Sequence, residues 1–206
     1  MTNASNHLFW IISRGAGTTA LILSSLAVCV GLTMGGKLLP GNAADRRSYH
    51  EVISLSVMVA IAVHGLTLLG DSFLHPSLID VTVPFAFGYQ RLATTLGIIA
   101  GWSFIALGLS FYARDRIGRA RWRVIHRFTL LAWVGGLVHT LVEGTDAGQL
   151  WFVALVTITS APVLVLLGVR VASVGARRRF GARRPGSSSA ASARTARPTI
   201  HPGRAH

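Results

Sequence analysis

The sequence is poor in charged side chains and in cysteine. Asp, Glu, Lys and Arg make up only 13% of its 206 residues, about half their usual share in a soluble domain. The single cysteine, Cys29, cannot form a disulfide within the chain, so cysteine usage indicates nothing about the redox compartment. The sequence also lacks the G-x-G-x-x-G and G-x-x-x-x-G-K-[ST] motifs, and we therefore expect no flavin or nicotinamide domain in it.

The sequence contains long apolar runs. Five stretches, at about 15–34, 52–69, 92–112, 124–142 and 150–169, are apolar on every side rather than along one face. A helix needs about 20 mostly apolar residues to cross a bilayer. The pattern therefore predicts an all-α, polytopic membrane helix bundle with about five transmembrane helices.

The basic excess of the chain, a formal net charge of +13, is unevenly placed. Eighteen of the twenty Lys and Arg residues fall in three segments, which are 37–47, 114–127 and the region from Arg170 onward. In a five-span bundle these segments share one side, and the other side keeps only Arg14 and Arg91. The positive-inside rule then predicts a plasma-membrane protein with its N-terminus outside and its C-terminus in the cytoplasm. The charge is explained by topology and anionic lipid, so we expect no nucleic-acid partner.

Composition divides the chain into two parts. Residues 1–172 form the predicted membrane domain, in which the outside loop at 70–91 is apolar enough to lie along the membrane surface. Residues 173–206 are rich in Arg, Ala, Ser and Pro, which predicts a disordered, basic cytoplasmic tail.

Four histidines lie within two of the predicted spans, where ionisable residues are rare and usually functional. His50 and His126 fall near the predicted cytoplasmic face, and His64 and His139 fall near the outer face. A b-type haem with two histidine ligands takes one imidazole from each of two facing helices. The sequence therefore predicts two haems b per chain, an inner one on His50 and His126 and an outer one on His64 and His139. One haem, or histidines that only form hydrogen bonds between helices, remain as alternatives.

The spacing of these histidines fits helix geometry in one span and not in the other. His50 and His64 are 14 positions apart, which is within about 40° of whole helical turns. His126 and His139 are 13 positions apart, which leaves a phase error of about 140°. Overwinding or a kink at Gly135 and Gly136, or a different haem tilt, would absorb this error.

The histidine spans resemble the ferric-reductase-like transmembrane domain, the haem-carrying core of ferric reductases and NADPH oxidases. The segments HEVISLSVMVAIAVH and WRVIHRFTLLAWVGGLVH match its two histidine helices, with thirteen and then twelve residues between ligands. The motifs WIISRGAG, HGLTLLGDSF, VPFAFGYQRLATTLG and EGTDAG resemble a bacterial branch of stand-alone membrane subunits. The resemblance covers about residues 8–169 and implies the same assignment of ligands to the inner and outer haems.

Further side chains fit around this arrangement. Arg14 and Arg91 are the basic residues of the outer face, and each is a candidate partner for the propionates of an outer haem. Trp133 lies midway between His126 and His139, and we expect it to fill lipid-facing space rather than to separate two haems. Trp122 is a predicted interfacial anchor, and His75, in the outer loop, is a predicted surface residue.

These features predict the membrane subunit of an oxidoreductase that transfers single electrons from the cytoplasmic to the outer face. The expected donor is a separate flavoprotein or a membrane quinol, since the chain has no nicotinamide motif. The expected acceptor is extracytoplasmic: ferric iron, oxygen, a flavoprotein or a reductase partner. The alternative is a non-catalytic membrane protein that carries haem or has a structural role.

Overall fold

A computed structural model describes residues 2–36, 42–144 and 146–181 of the chain. All regular secondary structure in this part of the chain is helical. The eight helices are α1 (Thr2–Gly36), α2 (Ala43–Leu68), α3 (Leu78–Thr82), α4 (Arg91–Leu109), α5 (Arg114–Ile117), α6 (Arg119–His126), α7 (Thr129–Glu143) and α8 (Leu150–Gly181).

Five helical segments of the described chain are long and apolar enough to cross a membrane. They are His7–Gly36, Ala43–Leu68, Arg91–Leu109, Arg119–Glu143 and Leu150–Ser173. The predicted all-α bundle with five candidate membrane spans is therefore confirmed. The fourth span differs from the other four because it consists of two helices, α6 and α7, joined at Arg127 and Phe128.

The bundle hides small and polar side chains and exposes large apolar ones. Ser13, Ser24, Ser25 and Ala27 are buried in α1, whereas many Leu, Ile and Val side chains of all five spans are exposed. Lipid tails are as apolar as leucine, so membrane helices gain most from small residues that let their backbones approach closely. This arrangement explains why no apolar face could be distinguished in the sequence.

Two pairs of helices carry the histidines. α1 packs along α2, and α4 packs along α7, while α1 also contacts α7 and α2 also contacts α4. At one end, Phe152 and Val156 of α8 pack with Leu21 of α1 in a small apolar cluster. The histidine-bearing helices are thus each held by a neighbour, α2 by α1, and α6 and α7 by α4.

The predicted outside loop folds back onto α4. Ser77 and Asp80 form a reciprocal capping box that begins α3, and these bonds to Ser77 hold the pKa of the Asp80 carboxyl below its ordinary value. The Trp102 indole donates to the Thr82 carbonyl at 2.8 Å, and the Phe85 amide donates to the Thr95 hydroxyl at 2.9 Å. The loop is therefore fixed to the bundle at two points.

The C-terminal helix is longer than its apolar run. α8 continues to Gly181, eight residues beyond Ser173, where composition had predicted the start of a disordered tail. Ala and Arg have high helix propensities, so the sequence of this stretch is compatible with a continued helix. The described chain divides into two units between Leu167 and Gly168. The rest of the predicted tail, 182–206, lies outside the described residues.

Candidate functional site

The structure brings the four span histidines together as two pairs, which we name after the predicted topology. In the inner pair, the ring centroids of His50 and His126 are 6.2 Å apart and the rings are inclined at 87°. In the outer pair, those of His64 and His139 are 6.3 Å apart and inclined at 72°. The predicted pairing by depth therefore agrees with the observed juxtaposition of the rings.

The separation of the rings fits two ligands on opposite sides of one metal ion. A bond between an imidazole nitrogen and a first-row metal is about 2 Å long, and the nitrogen lies about 1.1 Å from its ring centroid. Two such ligands in line would place their ring centroids about 6.3 Å apart. Both pairs have this spacing, so the residues present fit a group that is held axially by two histidines.

Backbone carbonyl groups orient the rings of the outer pair. The Nδ1 atom of His64 lies 2.8 Å from the Ser13 carbonyl oxygen, and Nδ1 of His139 lies 2.9 Å from the Ala93 carbonyl oxygen. An imidazole that donates its Nδ1–H to a carbonyl leaves Nε2 as the free ligand atom. α1 and α4 thus each fix one ring from behind.

The inner pair is held differently. Nδ1 of His50 and Nδ1 of His126 are buried and have no hydrogen-bond partner, and the Ala27 and Leu107 carbonyl groups beside the rings make only looser contacts. The indole of Trp122 stacks on the His126 ring, with 4.9 Å between centroids and 23° between planes. Trp122 therefore supports a histidine ring, in addition to its predicted place at the interface.

Glycines face three of the four rings. A Cβ atom at Gly97 would lie 2.5 Å from Nδ1 of His139, and one at Gly17 would lie 3.0 Å from Nδ1 of His64. A Cβ atom at Gly31 would lie 3.4 Å from Cε1 of His50. Each ring can approach the backbone this closely only because glycine has no side chain, and the space is tightest at Gly97.

A cavity of about 1000 Å³ surrounds the outer pair. This volume lies at the upper end of the range for cofactor pockets, about 300–1,000 Å³. Its lining combines apolar and aromatic side chains of the spans and the outer loop with a few polar groups. Among the latter are Arg14, Asp71, Thr94, Glu143 and Asp146.

The two arginines predicted to contact an outer haem occupy different places. Arg14 lines this cavity, where it is paired with Asp146 and lies 4.2 Å above the Trp10 ring. Arg91 is not among the lining residues, and its Nε donates to the Phe85 carbonyl at 3.1 Å. The structure thus brings Arg14, and not Arg91, to the cavity of the outer pair.

Glu143 is a polar residue of the site that the sequence interpretation did not single out. Its Oε2 lies 3.5 Å from Nδ1 of His139, and its Oε1 accepts a hydrogen bond from the Thr94 hydroxyl. Its position four residues after His139 is the signal that would have found it, since such residues are neighbours on a helix surface.

Trp133 corrects a sequence-based prediction. Its side chain was expected to fill lipid-facing space, but it is only 1% exposed and its indole donates to the Ser25 hydroxyl at 2.9 Å. The small, polar side chain of Ser25 on α1 creates both the room and the acceptor. His75, in contrast, is exposed in the outer loop, as predicted.

The chain overwinds beside His126, not at the two glycines, and this supplies part of the rotation that the 13-residue spacing requires. The amides of Arg127 and Phe128 bond to carbonyls three residues back, at Val124 and Ile125, and Leu130 and Leu131 repeat this pattern. Such bonds overwind the chain to about three residues per turn, which adds about 20° per residue in the direction that the phase error requires. Gly135 instead packs closely against Leu96 and Ala100.

Comparisons with protein-family models, with curated proteins and with solved structures found no match to this chain.

Proposed function

We propose that this chain is a bis-haem b electron-transfer subunit of the membrane, an oxidoreductase component in which α2 and the fourth span hold two haems at different depths. The observation that carries the proposal is the spacing of the two histidine pairs, 6.2 and 6.3 Å between ring centroids. His50 and His126 would hold the inner haem, and His64 and His139 the outer one.

Haem suits these pairs better than a bare metal ion does. In the described part of the chain, no group of three or more His, Cys, Asp or Glu side chains is arranged to hold a metal ion. Each pair offers two donors, whereas protein sites for a bare transition metal use about three or four. Haem brings four nitrogen donors of its own and, when bound, supplies one-electron redox chemistry.

The inner pair bears on the alternative, a purely structural role for the histidines. Histidines that join helices do so through their ring nitrogens. The outer rings bond to the Ser13 and Ala93 carbonyl oxygens of α1 and α4, whereas neither inner Nδ1 atom has a close partner. Metal ligation at Nε2 would give the inner rings a role that hydrogen bonding between helices does not supply.

In the proposed function, the protein holds each haem, orients its histidine ligands and keeps it apart from water. If both histidines of a pair ligated the iron, no position would stay open for oxygen, and the haem would supply the transfer of single electrons. The Ser13 and Ala93 carbonyl groups hold the outer rings, and apolar side chains of the spans would keep water away. Arg14, which lines the cavity, would contact a haem propionate.

The partners follow from the predicted topology. The donor would be a cytoplasmic flavoprotein or a membrane quinol, and the acceptor an extracytoplasmic flavoprotein, reductase, ferric iron or oxygen. The exposed arginines of α6, Arg119, Arg121 and Arg123, offer a basic docking surface for an acidic donor. Membership of the ferric-reductase-like transmembrane family is part of this proposal and rests on the two histidine motifs.

Spectroscopy of the purified protein tests the proposal. After expression with sufficient haem, the dithionite-reduced protein should show a b-type spectrum, and a pyridine haemochrome assay should give two haems per chain. His64→Ala should lose only the outer haem and His50→Ala only the inner one. The matched control is His75→Ala, which alters an exposed histidine outside the pairs and should keep both haems.

A folded but colourless protein would refute the haem assignment. Loss of both haems, or of neither, from a folded His64→Ala variant would refute the pairing of ligands by depth. Folding is checked independently of haem by monodispersity in detergent and by the helical circular dichroism signal.

A further inference from the structure

The two histidine pairs differ in the groups behind the rings. Both outer Nδ1 atoms have carbonyl partners, at 2.8 and 2.9 Å. The inner Nδ1 atoms make only the looser contacts with the Ala27 and Leu107 carbonyl groups. Because a ligand imidazole that donates its Nδ1–H is a stronger electron donor, the closer hydrogen bonds of the outer pair would favour the oxidised, more positive metal.

The charged groups near the outer pair also favour an oxidised metal there. The Glu143 carboxylate lies 3.5 Å from Nδ1 of His139 and also interacts electrostatically with His64. It is partly buried, so its charge is screened less than an exposed one would be. A negative charge beside a metal ligand stabilises the higher oxidation state.

The charged side chains near the inner pair are open to solvent. Arg123 and Arg127 flank His126 in the sequence and are exposed. Glu51 follows His50 and accepts a hydrogen bond from the Tyr112 hydroxyl at 2.7 Å in an exposed setting. Solvent screens all three charges, so the partly buried Glu143 beside the outer pair is the charge expected to distinguish the two pairs.

From these contacts we infer that Glu143 is a positioning residue of the outer pair and that it makes the outer haem the harder of the two to reduce. This inference rests on the proposed function and adds to it an order of reduction for the two haems. Glu143 acts through His139, whose ring it faces together with the Ala93 carbonyl group. The Thr94 hydroxyl, which donates to Glu143, keeps the carboxylate in this place.

A redox titration followed by optical spectroscopy tests this inference without measuring any activity. The wild-type protein should titrate in two steps. His64→Ala, which keeps the inner haem, should show only the higher midpoint, and His50→Ala only the lower one. Should either variant fail to fold, Gly97→Ala assigns the steps, because its Cβ atom would lie 2.5 Å from Nδ1 of His139 and should perturb only the outer step.

Glu143→Gln keeps the shape of the side chain and removes its charge. We expect the lower midpoint to rise toward the higher one, while the higher midpoint stays unchanged. Asp45→Asn is the matched control, since it removes one negative charge from an exposed position at the start of α2 and should shift neither midpoint. Glu143→Asp, which retains the charge, should restore most of the separation.

The possible failures are distinguishable. A protein without haem contradicts the proposed function itself. Two haems with coincident midpoints, or with the lower midpoint on the inner pair, overturn the inference and leave the proposed function standing. A Glu143→Gln variant that shifts the higher midpoint, or neither, also overturns it.

Discussion

At the scale of single residues, the distance between ring and backbone decides whether a histidine can keep its position. Gly97 lets the His139 ring approach α4 closely enough for Nδ1 to reach the Ala93 carbonyl oxygen. Gly17 does the same for His64 on α1, four residues after Ser13. Each outer ring thus uses a carbonyl and, one helical turn later, a glycine on the same helix.

Gly97→Ala should displace His139 and weaken the outer haem site. The added Cβ would lie 2.5–2.7 Å from three ring atoms, so the ring must move and lose its bond to Ala93. Alanine favours a helix over glycine by about 1 kcal/mol, so any loss must come from this contact. We expect haemochrome analysis to give about one haem per chain.

Gly15→Ala is the control for this substitution, because a Cβ atom at Gly15 meets nothing within 4 Å. It should retain two haems. Full retention of the outer haem in Gly97→Ala, with an unchanged spectrum, would show that the ring does not depend on this approach.

At the scale of helices, the fourth span shows what a sequence pattern can and cannot specify. Apolar runs predict spans because their length is set by the bilayer, and the spans bring His50 near His126 at one depth and His64 near His139 at another. The site of overwinding was not predictable. It depends on how α6 and α7 pack, and the Arg127–Phe128 step contains no glycine or proline to mark it.

The polar contacts of the site were equally hidden in the sequence. The carbonyl groups of Ser13 and Ala93 belong to backbone, which has no side-chain signature. The Arg14–Asp146 pair and the burial of Trp133 against Ser25 join residues that are more than 100 positions apart. Hydropathy gives the order and depth of spans, but not their rotation about their own axes, which decides such contacts.

A single inserted alanine should be tolerated at the tight turns around Arg127 and Phe128, and it should not be tolerated within α7. Inserted after Phe128, it lengthens the spacing to 14 residues, and regular helix then places His126 and His139 within about 40° of one face. Inserted between Gly135 and Gly136, it rotates His139 by about 100° relative to the buried Trp133. We expect two haems in the first variant and loss of the outer haem in the second.

Haem content and the optical spectrum of the two purified insertion variants measure this difference. Each variant is the control for the other, since both add the same residue to the same span. Equal loss from both, in folded protein, would mean that the tight turns beside His126 cannot relax.

At the scale of the whole molecule, charge asymmetry predicts orientation and the structure supplies probes for it. Gly88 lies exposed in the outer loop, and Ser48 lies exposed at the start of α2, at the opposite end of that span from His64. In a Cys29→Ser background, Gly88→Cys and Ser48→Cys would each give one accessible thiol. The predicted topology places these two thiols on opposite sides of the membrane.

An impermeant maleimide should label the Gly88→Cys variant in intact cells and the Ser48→Cys variant only after permeabilisation. The Cys29→Ser protein, without an added cysteine, gives the background. The reverse labelling pattern would place the basic segments outside and contradict the predicted orientation.

The vertical offset between the two histidine pairs has an electrical consequence. His50 and His64 are 14 positions apart in one helix, a rise of about 21 Å against a hydrocarbon thickness of about 30 Å. A negative charge moved from the inner to the outer depth therefore crosses about two thirds of the membrane voltage. With the cytoplasm negative by 100 mV, this displacement is favourable by about 1.6 kcal/mol. An energised membrane would thus draw electrons outward, toward the pair whose ligands resist reduction.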